Sequence, residues 1–318
     1  MSLLALTKKK LNLDTLAAVC PDGRGMAVAK VRRSKGLPPV LEFCAYQAGA
    51  EGQVAEASYD KLLKKASLDK NLCISLVDFN DYKLLMVEAP DVKDSELAAA
   101  VRWRVKDLID FNVEDAVIDV FEVPESRSGS MVYAVVARAE DVKKRIDYLL
   151  EAGLNLEIVD VPELALRNIA ALLPEDVGGV ALVQIGEEGG LITITRQQKL
   201  YLSRRLSAGF NSLPTTLMQS DDPAAIEAWL DRIVIEVQRS MDYYESHFSL
   251  PAIGSLVITP LMQEVSGIEE YISAQLDIST RVLDVKELID SELIIDRELQ
   301  AHCLFAIGAA LREKEEGL

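Results

Sequence analysis

The residues best placed for chemistry in this sequence are glycines set between apolar runs. In residues 180–195, VALVQIGEEGGLITIT, two β-rich runs flank Gly186, Gly189 and Gly190. In residues 16–31, LAAVCPDGRGMAVAKV, the same layout surrounds Gly23 and Gly25. A glycine turn between strands leaves backbone N–H groups uncovered by any Cβ, and such a concavity can hold a phosphate. The same glycines also serve ordinary hairpins, whose tight turns need them in any case. Two such turns, roughly half a chain apart with domain-sized sequence after each, suggest a duplicated fold.

Groups that would complete a phosphate site are scarce. The position before the second turn is Gln184, which cannot offer a carboxylate to Mg²⁺. Asp22 lies in the first turn, and Glu187 and Glu188 in the second, as like charges to a triphosphate. Asp78 and Asp160, at strand ends, are the available carboxylate replacements, and Asp160 also reads as a helix cap. Cys20, Cys44, Cys73 and Cys303 form no CxxC pair and only His247 and His302 accompany them, which argues against zinc and for reduced thiols.

The 318 residues carry 34 basic and 51 acidic side chains, a net charge of −17. That field disfavours nucleic acid and anionic lipid as main partners and suits a basic segment. No apolar run reaches the roughly 18 residues of a membrane span. Residues 1–10, MSLLALTKKK, place apolar before basic residues, the reverse of a secretory signal, and read as a frayed terminus or a weak surface anchor.

The elements that must position these turns follow from periodicity. Strands are predicted at 40–46 and 72–78, with a helix at 57–67 between them. Residues 82–89 form a strand ended by Pro90; Asp94 then caps a helix to about residue 109, with Leu97, Val101, Val105 and Leu108 on one face. Arg102, Arg104 and Lys106 are assigned to its solvated side. Strands 116–123 and 131–137 make a hairpin, so the order is strand, helix, strand, strand. A helix at 140–152 turns Val142, Ile146, Leu149 and Leu150 inward and stops at Gly153. Strand 154–159 precedes a helix to residue 173, opened by Asp160, Pro162 and Glu163 as a capping box. After the central hairpin come a strand at 200–206 and the longest helix, begun by Asp222 and Pro223 and striped with Ile226, Trp229, Leu230, Ile233, Val237, Met241, Tyr244 and Phe248. Strands at 255–259 and 280–283 and helices at 267–276 and 298–312 complete the chain.

The stretches 96–112 (ELAAAVRWRVKDLIDFN), 153–167 (GLNLEIVDVPELALR), 236–244 (EVQRSMDYY) and 306–312 (AIGAALR), with the strand–helix–strand–strand block, together resemble the PilM family. These are actin-like proteins of type IV pilus assembly, related in fold to the cell-division protein FtsA. The degenerate glycine loops look most like the MshI branch, of the mannose-sensitive haemagglutinin (MSHA) pilus. The resemblance spans nearly the whole chain and rests on the order and spacing of motifs.

It implies an α/β fold of actin-like (ribonuclease H-like) type in two halves, 1–177 and 178–318, with a strand–helix–strand–strand subdomain inserted at about 80–153. It implies an ATP cleft between the halves. Residue by residue that carry-over mostly fails: Ala18, Val19 or Cys20 stands where an acid ends the first strand, Gln184 replaces the aspartate of an Asp-Ile-Gly, and Thr259-Pro260-Leu261-Met262 replaces a run of glycines. Gly23, Gly25, Gly186, Gly189, Gly190 and Gly267 remain as nucleotide-loop candidates, for weakly bound ATP or none. The resemblance further implies a partner groove between insert and first half. That groove would take the N-terminal tail, mixed basic and apolar, of a PilN-like inner-membrane protein, with Leu84, Met86 and Trp103 as candidate contacts; core packing explains these three equally. The expected place is cytoplasmic, at the inner face of the inner membrane. Three functions follow: a non-catalytic docking scaffold, an active or nucleotide-switched ATPase, or a self-assembling filament or other homo-oligomer.

Overall fold

A computed structural model describes residues 12–21, 24–49, 59–124, 129–213 and 223–313. The chain begins with β1 (Asn12–Pro21), β2 (Gly25–Arg32) and β3 (Val40–Ala48), then α1 (Asp60–Ala66) and β4 (Asn71–Leu76). The next block is β5 (Tyr82–Glu88), α2 (Asp94–Val105), β6 (Ala116–Glu122) and β7 (Met131–Arg138). It leads into α3 (Ala139–Glu151), β8 (Asn155–Asp160) and α4 (Pro162–Ala170). A second series follows: β9 (Val180–Ile185), β10 (Gly190–Arg196), β11 (Lys199–Leu206), α5 (Pro223–His247), β12 (Ser255–Ile258), α6 (Ile268–Leu276), β13 (Ser279–Val282) and α7 (Arg297–Ala310).

The repeat suggested by the two glycine hairpins extends to whole sheets. One sheet has the order β3-β2-β1-β4-β8 and the other β11-β10-β9-β12-β13. In each, three antiparallel strands are continued by two parallel ones, in the same sequential order. The strands β1 and β9 carry apolar runs, Leu16–Cys20 and Val180–Val183, because both faces are covered there. On β1, Ala18 and Cys20 enter one core while Ala17 and Val19 enter another. On β9, Leu182 packs with α4 and α7, whereas Ala181 and Val183 pack under α5. The β5–β7 block forms a third sheet of order β5-β7-β6, with α2 packed on it through Val101 and Val105.

The apolar stripe of α5 is buried as its spacing predicts: Trp229, Ile233, Val237 and Tyr244 are fully buried, and Trp229 Nε1 donates to the Gly209 carbonyl at 3.1 Å. Helix α7 lies against β1, β2, β3 and β4 although it ends the second series. A Cβ on Gly308 would stand 2.4 Å from the Ala165 carbonyl, so glycine is what lets α7 cross α4.

Several local expectations differ. Asp94 is the first residue of α2 and not its cap, and α2 ends at Val105 in a tighter turn, Lys106–Leu108. The change of pitch turns Leu108 outward, to 51% exposure. Leu150 likewise faces solvent, since α3 buries a narrower face centred on Leu149. Arg102 is not a solvated side chain: its guanidinium donates to the carbonyls of Val113 and Ala116 and fastens α2 to the start of β6. Asp160 and Glu163 form no capping box, because each has a stronger partner elsewhere in the fold. The expectations for residues 1–10, Asp22, Gly23 and Asp222 lie outside the described residues.

Candidate functional site

The two glycine turns meet. Arg24, in the first, pairs with Glu187, in the second, at 2.5 Å, with 45% and 37% of the side chains exposed. The second turn is closed on itself and on the segment that follows β11. Gly186 N–H donates to Gly189 O at 2.7 Å, and the carbonyls of Gly186 and Glu187 accept from Phe210 and Asn211. A Cβ on Gly190 would lie 1.9 Å from Gln184 O, and one on Gly25 would lie 2.4 Å from the Tyr46 hydroxyl. Close backbone approach therefore accounts for glycine at both places. Gly267 stands apart, in left-handed conformation at the start of α6.

The acids that could serve a metal are committed. Asp160 Oδ1 accepts the Val161 N–H at 2.9 Å, and Oδ2 pairs with Arg312 at 2.6 Å. Asp78 accepts the Asn80 N–H inside its own loop. Glu163 is buried and takes the Tyr82 hydroxyl at 2.6 Å. Burial raises its carboxyl above the ordinary range, against the pull of the Tyr82 hydrogen bond. Ala18, Val19 and Cys20 are buried strand residues. Thr259 and Leu261 are packed into the core, where bare backbone was required. Among the described residues no group of three His, Cys, Asp or Glu is arranged to hold a metal ion. Among the described residues the Mg-bound triphosphate that such a shell suggests does not fit: the Gly186 N–H is spent, the tip is tied by an ion pair, and the exposed Glu188 adds a like charge.

A larger feature lies elsewhere. A groove of about 770 Å³ opens between β6 of the insert and β8 with α4 of the first sheet. Both strands are sheet edges, and Val117, Asp119 and Phe121 of β6 line the groove together with their β7 neighbours Val135 and Ala137, so the insert contributes a sheet face. Val117, Val120 and Phe121 line one wall, and Ile158, Leu164 and Leu172 the other. Its basic side chains are engaged: Arg312 with Asp160, Arg33 with Glu313 at 2.7 Å and with the Leu311 carbonyl, and Arg167 with Asn168 at 3.0 Å. Asp119 accepts the Val120 N–H at 2.8 Å and has no basic partner among the described residues.

Leu84, Met86 and Trp103 do not line this groove. Leu84 and Met86 pack against the cluster under α5, where the Tyr243 hydroxyl approaches Met86 Sδ at 3.8 Å. Trp103 stands 70% exposed on α2. The insert is also held to the second sheet by Tyr133, whose hydroxyl accepts from Ser203 N–H at 3.1 Å and donates to Tyr201 O at 3.3 Å.

Known structures share this architecture. The chain superimposes on a PilM–PilN type IV pilus biogenesis complex at a TM-score of 0.74 and 20% identity, covering 93% of this chain and 97% of that one. A Bacteroides thetaiotaomicron protein with an actin-like ATPase fold and unknown function matches at 0.51 and 7% identity, over 94% and 98% of the chains. The chain has the actin-like fold. The cytoplasmic domain of EpsL, an inner-membrane component of the Vibrio cholerae type II secretion system, matches this actin-like chain at 0.50 and 14% identity, over 94% and 96%. A family model described as type IV pilus assembly protein PilM matches residues 82–228, from the insert through the second glycine hairpin to the start of α5.

Proposed function

We propose that this chain is a non-catalytic docking protein of type IV pilus assembly. Its groove receives the N-terminal tail of a PilN-like inner-membrane protein on the cytoplasmic side. The observation that carries this reading is the groove itself: a face of the insert sheet, ending in the edge strand β6, lies across apolar walls from the edge strand β8, and Asp119 has no cation among the described residues. An extended peptide can add to such an edge through its backbone, with alternate side chains entering the walls. A basic residue in that peptide neutralises Asp119 and is drawn in by the net charge of −17. The match to the PilM family model supports the assembly, and the committed acids and closed glycine turn support the loss of catalysis. Those altered turns also favour an MSHA-type pilus as the system served. The halves 1–177 and 178–318 then act as a frame, with α7 returned to the first sheet.

Calorimetry with the tail peptide of the PilN-like protein encoded beside this chain tests the reading. Saturable binding is expected, weakened by Val117→Asp on the exposed groove face and by Asp119→Lys. Absence of binding at about 100 µM, weaker than a working peptide contact, would refute it.

A further inference from the structure

Ser207, just past β11, donates both its N–H and its hydroxyl to the Glu236 carboxylate of α5. This clamp draws the end of β11 and the middle of α5 around a depression of about 320 Å³. Ile192 forms part of its floor and belongs to the core beneath α5, whereas its neighbour Leu191 faces the core shared with α4 and α7. The depression therefore opens on the outer face of the second sheet, apart from the partner groove.

Its charge is unexpected. Arg204, Arg205 and Arg239 all line it, in a chain with 51 acidic and 34 basic residues. None of the three forms an ion pair among the described residues. Arg204 lies 4.9 Å over the Tyr243 ring, which orients the guanidinium without neutralising it. Arg205 donates to the Phe79 carbonyl and lies over the Phe79 and Tyr82 rings, at 4.9 and 5.4 Å. The one acid in the depression, Glu236, spends both oxygens on Ser207. Arg205 sits opposite Leu191, on the other face of β11, so Arg204 and Arg239 face the single Glu236 carboxylate and leave one surplus positive charge that a phosphoryl group can meet.

We infer that this depression is a binding site for a phosphoryl oxyanion, with Arg204 and Arg239 as its charged ligands. The same chemistry is presented by free phosphate and by a phospholipid headgroup, and two arms separate them. The full-length chain is titrated with inorganic phosphate against chloride at equal ionic strength, followed by calorimetry and thermal midpoint. In parallel it is sedimented with phosphatidylglycerol vesicles, with phosphatidylcholine vesicles as control. Saturable binding in the phosphate arm assigns a free anion, and binding in the vesicle arm alone assigns a headgroup. In either case Arg204→Gln with Arg239→Gln weakens binding by about tenfold or more. Arg239→Gln alone removes a side chain that has no hydrogen bond or ion pair among the described residues, so it keeps the fold intact and is expected to weaken binding by itself. No response in either arm overturns the inference. So does a response that survives both variants, which would place the anion elsewhere, for instance at the glycine turns.

Discussion

The Asp160–Arg312 pair joins the last strand of the first sheet to the end of the chain and forms part of the groove wall. Its two members are unequally placed: 6% of the Asp160 side chain is exposed and 25% of Arg312, with 2.6 Å between them. Arg312→Ala leaves a buried carboxylate with the Val161 N–H as its one other hydrogen-bond partner among the described residues. Removing one member of a fully buried pair costs about 3–5 kcal/mol. Water in the groove can reach Asp160 once the guanidinium is gone, which lowers the expected loss to about 2–3 kcal/mol. Asp160→Asn is milder: the amide oxygen still accepts the Val161 N–H, and Arg312 turns to water, for about 1 kcal/mol. The order of the two variants is the test. Urea denaturation of full-length chains should give a lower midpoint for Arg312→Ala than for Asp160→Asn, with the double variant close to Asp160→Asn. If Asp160→Asn proves the more damaging, or neither loses more than about 0.5 kcal/mol, the assignment of desolvation to Asp160 is wrong.

Tyr133→Phe removes the hydroxyl that bridges the insert to β11 and should cost about 1 kcal/mol, with faster amide exchange at Ser203 as its local signature. Glu163 gives a pH dependence. Its folded-state carboxyl is raised by burial, so the folded chain holds that proton more tightly than the unfolded chain. The resulting stability is present at low pH and is lost as pH rises from the unfolded carboxyl's range, about 4.3, through the folded value. Glu163→Gln keeps an acceptor for Tyr82 and lacks this loss, so its denaturation midpoint should exceed that of the parent at neutral pH and converge with it in acid. Equal midpoints throughout would show that the carboxylate is not penalised by burial. Gly190→Ala places a methyl 1.9 Å from Gln184 O, where only backbone movement relieves the clash. Its loss should exceed 1 kcal/mol by circular-dichroism melting, well beyond the roughly 0.5 kcal/mol of an ordinary surface change.

What could be read in the sequence was whatever repeats locally. The glycine hairpins and the stripe of α5 are carried by spacing within a few residues, and they appear where that spacing puts them. Asp160 shows the opposite case. Asp, Pro and Glu in succession spell a helix start, but the partner that claims Asp160 is Arg312, 152 positions away, and no local pattern announces it. For Leu84 and Met86 the sequence left partner contact and core packing equally open; they pack under α5, from the far half of the chain. Asp119 reads as an unremarkable polar residue in an alternating strand until β8 and α4 are placed opposite. Arg204 and Arg205 did leave a trace, since two successive charges in YLSRRL break the strand's alternation. That Arg204 shares a depression with Arg239 was not legible, because Arg239 comes from α5.

The joint between the two sheets decides whether a ligand in the cleft could govern the groove. The Arg24–Glu187 pair crosses it but is largely exposed, and such pairs contribute only about 0–1 kcal/mol. The core beneath is another matter. Ala18 and Ile74 of the first sheet share one apolar cluster with Val180, Leu182, Leu191 and Val257 of the second, through α4 and α7. Each large aliphatic side chain fully buried there is worth about 1.5–3 kcal/mol, so parting the sheets exposes far more than one ion pair can return. The groove walls are fixed to the same body, β8 and α4 directly and β6 through Tyr133 and Phe121 against the second sheet. On this reading the shared core opposes domain closure over a nucleotide. The tail peptide should bind with the same affinity, within about twofold, in the presence and absence of saturating Mg·ATP. A tenfold change would correspond to a coupling of about 1.4 kcal/mol between cleft and groove, and would mean that the shared core yields where its burial says it holds.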